Sequence, residues 1–116
     1  MTVRRLKTYT AETGYVYQYY FVGNRPALHE ESTEFVFDVT SDRKTTFAVS
    51  VFLQFRAVTE WERQHERKLV EAEQYAAAKM RLFAAFDEIE NLMETGRTLT
   101  IRPEDMEELL AKVGVD

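Results

Sequence analysis

The sequence predicts an α+β fold: a four-stranded antiparallel sheet built from two hairpins, a short fifth edge strand, and helices packed on it from the C-terminal half. Three observations carry this expectation. Four segments before residue 55 are rich in β-branched and aromatic residues, and most of them alternate with period two. From Arg56 onward the apolar period becomes helical, and neither Gly nor Pro occurs from residue 59 to residue 94. Strands come first and helices after, which is the α+β order rather than the interleaved α/β one. The 116 residues, 1–116, are the size of a single domain.

The elements follow in chain order. Residues 3 to 10 carry Val3, Leu6, Thr8, Tyr9 and Thr10 and read as a strand. Gly14 supplies the positive φ of a tight hairpin. Tyr15, Tyr17, Tyr19 and Phe21 then form an all-aromatic face that alternates with a mixed one over residues 15–22. Gly23-Asn24-Arg25-Pro26 is expected to end that strand, with a polar loop to about Thr33 that contains His29. The third strand spans Glu34 to Thr40 with Phe35, Phe37 and Val39 on one face. After the polar turn Ser41-Asp42-Arg43-Lys44, the fourth spans Thr45 to Gln54 with Phe47, Val49, Val51 and Leu53 together.

Thr59 and Glu62 match the capping-box spacing at a helix start. One unbroken helix from 59 to 94 would reach roughly 50 Å at 1.5 Å per residue. A break at about Glu66 to Val70 is expected, because the apolar stripe loses phase across the polar run 63–68. The second helix, Glu71 to Met93, carries Tyr75, Leu82, Phe86, Ile89 and Met93 on one stripe, and Gly96 closes it. Arg97 to Ile101 reads as the edge strand. Pro103 opens a last helix whose apolar face is Met106, Leu109, Leu110 and Val113.

Composition removes several chemistries. There is no Cys, so disulfides, thiol catalysis and thiolate metal sites are excluded. Four glycines form no phosphate-cradling loop, and none of the serines Ser32, Ser41 and Ser50 sits in a nucleophile motif. Glu62-x-x-His65 has metal-ligand spacing on a helix, but a di-metal bundle needs a second such motif, and His29 lies in a loop. No metal or cofactor is expected. The net charge of −5 argues against nucleic acid, despite the tyrosine-rich strand. No run approaches a membrane span, and no long apolar region follows Arg4 and Arg5, so a cytoplasmic protein without a signal peptide is expected.

Two non-enzymatic expectations lead, with an enzyme site between His29, His65 and nearby carboxylates as a third reading. A sheet with helices on one side leaves Val16, Tyr20, Val36, Ala48 and Phe52 on the other, and such a surface marks self-association, in the first instance a homodimer. The alternative is a cleft between sheet and long helix for a small apolar or aromatic ligand, lined by Tyr15, Tyr17, Tyr19 and Phe83. Lys79, on the stripe of Tyr75 and Leu82, is a partly buried lysine with the potential of a base or Schiff-base nucleophile.

Overall fold

Five strands lie side by side in chain order in the computed structural model, which describes residues 6 to 115. They are β1 (Lys7–Thr10), β2 (Val16–Ala27), β3 (Ser32–Thr40), β4 (Phe47–Gln54) and β5 (Thr98–Ile101). Neighbours are antiparallel except β4 and β5, which run parallel. A parallel pair requires a crossover, and α1 (Phe55–His65), α2 (Glu71–Glu88) and α3 (Leu92–Thr95) supply it. After β5 a 3-10 turn at Pro103–Asp105 leads into α4 (Met106–Ala111), which packs on α2. The predicted α+β arrangement, with four strands plus a fifth at the edge, is the one observed. Residues 3–5 of the first predicted strand lie outside the described residues.

The alternation in the sequence becomes the core. Tyr17, Tyr19, Phe35, Phe37, Val39, Val49, Val51 and Leu53 are buried on one face of the sheet, with Leu99 and Ile101 continuing it on β5. Helix α2 covers that face with Ala78, Leu82, Ala85 and Phe86, all fully buried. The Phe86 ring stacks on Tyr17 at 4.2 Å, and Phe83 stacks on Tyr9 at 4.3 Å. The Tyr9 hydroxyl also donates to Asp87 (2.7 Å), which ties the short β1 to α2.

Several boundaries depart from expectation, each for a physical reason. Gly23-Asn24-Arg25-Pro26 does not end the second strand. A bulge between Phe21 and Gly23 absorbs one residue, and β2 runs on to Ala27. Among the described residues β2 has no partner on its β1 side beyond Tyr19, and the missing N–H of Pro26 is tolerated there. Thr59 is not an N-cap. The helix starts four residues earlier, straight out of β4, and the Thr59 hydroxyl donates back to the Phe55 carbonyl.

The expected break between the first two helices is present. Glu66 takes the left-handed conformation at φ 52°, and the next helix must find its own N-terminal partners. Glu62 accepts from the Leu69 N–H (2.8 Å), and Glu73 accepts from the Val70 N–H (3.1 Å). Arg67 clasps both oxygens of Glu73 at 2.9 Å each.

The long helix ends at Glu88, not Met93, and Ile89 is extended at φ −107°. Gly96 is not a left-handed cap either, since its φ is −128°. It allows close packing, because a Cβ there would run into the Leu92 side chain. Arg102 is extended before Pro103, as a residue preceding proline should be. Met106, Leu109 and Leu110 are buried as expected, but Val113 is exposed beyond the end of α4.

Candidate functional site: the uncovered face of the sheet

All the buried helical apolar residues gather on one side of the sheet, so the other side is left open. Three cross-strand rows define it. Arg25, Glu34, Phe52 and Thr100 face one another from β2 to β5, followed by Gly23, Val36, Ser50 and Thr98, and then by Tyr20, Asp38 and Ala48. Val16 and Val22, 45% and 51% exposed, extend the apolar surface along β2, and Ala48 is exposed. Tyr20, Val36 and Phe52 are half-buried. The predicted surface residues Val16, Tyr20, Val36 and Phe52 therefore share this face, with Val16 at its far end opposite Thr10.

Polar groups are paired within the same face. Glu34 is 9% exposed, yet it accepts from Arg25 Nε at 2.8 Å and from the Ser50 hydroxyl at 2.6 Å. The Ser50 hydroxyl, and then the Arg25 guanidinium, hold the Glu34 carboxyl below the usual carboxylate range. Tyr20 donates to Asp38 at 2.5 Å. The face is thus a mixed surface of apolar side chains around internally compensated charges. Beside Arg25, a shallow hollow of about 280 Å³ opens between Val22, Gly23, Asn24 and Val36.

Both edges of the sheet are blunted. The long overhang of β2 carries the bulge, the charged Arg25 and Pro26, three devices that discourage strand pairing. On the opposite edge, Arg81 Nε donates to the Thr100 carbonyl of β5 at 3.2 Å.

The expected ligand-lining residues lie elsewhere. Tyr17, Tyr19 and Phe83 do come together between sheet and α2, but as ring-on-ring packing. Phe83 meets Tyr19 edge-on at 5.4 Å, and Phe86 fills the space beside Tyr17. Burial pushes the Tyr17 and Tyr19 phenols up, Tyr19 to about 12. Tyr15 is half exposed just before β2. With Tyr17, Phe47, Leu92 and Met93 it lines a groove of about 180 Å³ at the end of the sheet. Glu62 caps α2, as described above. His65 Nε2 lies 2.5 Å from Glu107, so it bridges α1 to α4. His29 stands in the 3-10 turn Leu28–Glu30.

Sequence reasoning missed the Arg25–Glu34–Ser50 network, and no local signal exposes it. Arg25 and Glu34 share a face only because the bulge inverts the alternation of β2, and Ser50 joins them through cross-strand register. No described helix is long and apolar enough to cross a membrane. In comparison with known proteins, the chain matches no family model, no curated protein and no solved structure.

Proposed function

We propose that the protein acts by association, as a homodimer joined through the open face of its sheet. The observation that carries this reading is the row of Val16, Tyr20, Val22, Val36, Ala48 and Phe52 on a face that no helix covers. Its size suits the role. The strands hold 37 residues in all, which at about 3.3 Å per residue and about 4.8 Å between strands present roughly 600 Å², somewhat below the roughly 800 Å² each partner gives to a standard interface.

Charge favours a second copy as the occupant. Residues 1–54 hold six basic and six acidic side chains, whereas residues 55–116 hold nine basic and fourteen acidic ones. The whole excess of −5 thus belongs to the helical half. Two identical chains repel least when their sheets meet and their helices point apart. Glu34 and Arg25 already neutralise each other, so the approach strands no bare charge.

Light scattering on a size-exclusion column tests this. A dimer is expected at high micromolar concentration, with Phe52→Glu shifting it to a folded monomer. A clean wild-type monomer at that concentration, unaltered by the substitution, would overturn the proposal.

A second reading, the binding of a small apolar or aromatic ligand, draws on the groove where Tyr15 and Tyr17 meet Phe47 and Met93. A thermal-shift screen with small aromatics supports it if the melting temperature rises and the rise disappears in Tyr15→Ala.

A further inference from the structure

The groove at the end of the sheet gathers aromatic rings and one sign of charge. Tyr15 and Tyr17 meet there with ring centres 6.2 Å apart and planes inclined by 48°. Phe47 and Met93 stand with them around a space of about 180 Å³. Two carboxylates complete the wall, Asp42 from the turn between β3 and β4 and Glu90 from the junction between α2 and α3. Among the described residues, no Lys, Arg or His lines the groove, and neither carboxylate forms an ion pair. Arg43 and Lys44 follow Asp42 in the same exposed turn without lining the groove. Arg97 is engaged elsewhere: its guanidinium lies 5.9 Å from the Phe47 ring centre and donates to the Ala48 carbonyl at 3.1 Å.

The groups around this space are fixed in place and incompletely satisfied. Asp42 Oδ1 accepts from the Thr45 and Lys44 N–H groups at 2.8 Å each, which hold the carboxyl below the ordinary carboxylate range. Its negative charge is therefore present throughout the neutral range. Tyr17 is 2% exposed, with one ring face against Phe86, yet its hydroxyl makes no hydrogen bond among the described residues. A polar group enclosed to that degree without a partner is costly. Burial, and then the neighbouring Tyr15, push the Tyr17 phenol up, so it stays neutral and keeps its lone pairs for a ligand. Tyr15 is half exposed and offers ring surface at the mouth of the groove.

We propose that this groove binds small methylated ammonium ions, with the head group against Tyr15 and Tyr17 and its charge facing Asp42 and Glu90. The assignment rests on the second reading above, in which the groove is a ligand site, and replaces the neutral aromatic ligand by a cation. A methylated ammonium spreads its charge over its methyl groups. It therefore packs on rings and on the Met93 thioether as an apolar body, while the ring faces and the carboxylates attract its charge. An inorganic cation lacks that body, and the described residues include no cluster of acids and histidines able to hold a metal ion. An anion would meet two unpaired carboxylates. A neutral aromatic would fill the space and leave both charges unanswered.

The test is calorimetric titration of the full chain with choline, at ionic strength held constant with sodium chloride, beside the neutral isostere of choline in which carbon replaces nitrogen. Choline is expected to bind at least about tenfold more tightly than the isostere. Tyr15→Ala should weaken choline about tenfold, and Glu90→Gln should weaken choline while leaving the isostere unchanged. Equal binding of the two compounds, both lost in Tyr15→Ala, overturns the preference for a cation and leaves the groove as a site for neutral ligands. Binding of neither compound overturns the proposal, and the aromatic screen then decides separately whether the groove is a ligand site at all. Choline binding indifferent to both substitutions overturns it as well. Where a variant does not fold, the wild-type ratio of choline to isostere decides alone.

Discussion

On the covered face of the sheet, rings meet rings. Tyr17 lies flat on Phe86, and Phe21 packs against Tyr75. One residue along the same strands, the open face mixes Val36 and Phe52 with Glu34, Arg25 and Ser50. The two faces share a backbone and differ in what would happen if water reached them. Exposing the first would strand large apolar rings, which is why it is permanently sealed by α2. The second tolerates water, since its charges are paired within the face, and it still offers enough apolar surface to reward a partner. Such a balance suits an interface that forms and releases, rather than one that must be made for the chain to fold.

The largest test of this contrast is a pair of truncations. Phe86→Ala should lower unfolding stability by about 3–5 kcal/mol in denaturant melts, the usual cost of a buried ring. Phe52→Ala, measured on the monomer, should cost about 1 kcal/mol. Equal losses would mean that the two faces are not different in kind.

Alkaline pH probes the covered face as a whole. Tyr9 and Tyr19 have folded-state values raised to about 12 from an ordinary 10.0, and burial is the first cause in both. A raised phenol stabilises the fold fully below its unfolded value, and that contribution is lost as pH rises through the folded one. Stability should therefore fall between about pH 10 and 12, with phenolate absorbance rising together with loss of helix by circular dichroism. Early ionisation of these rings in a folded chain would show that they are not sealed.

A smaller effect is expected at the junction below α2. Gly96→Ala forces the Leu92 side chain out of its buried place and should cost about 1–3 kcal/mol, read as a lowered melting temperature.

A change of similarly small size belongs to the polar part of the open face. Glu34→Gln weakens two hydrogen bonds to a charged group, for about 1–2 kcal/mol. Because the Glu34 carboxyl is depressed in the folded state, its contribution is present at neutral pH and fades as pH falls below the ordinary carboxylate range. Acid titration of stability should be shallower in the variant over that range. An unchanged slope would remove Glu34 from the account.

The covered face was largely legible in the sequence, because period-two alternation in Phe47, Val49, Val51 and Leu53 speaks directly about burial. The helix break was legible too, from the polar run 63–68. Gly23 and Pro26 misled for a definite reason: they are strand breakers in general, but a bulge and an unpaired edge accommodate both. Thr59-x-x-Glu62 misled because a capping pattern carries no information about where a preceding strand hands over to a helix. The open face could be named residue by residue, yet its polar network could not. Arg25, Glu34 and Ser50 meet only through the register of three strands. Register is a long-range property that local patterns do not encode.

The most direct measurement of the central claim is a dilution series of backbone amide spectra on isotopically labelled protein. With the sheet face as the interface, concentration-dependent shifts should cluster at Tyr20, Val36, Ser50 and Phe52, and α2 and α4 should stay silent. Shifts concentrated on the outer surfaces of α2 and α4, or a dimer whose open-face amides do not change on dilution to monomer, would contradict it.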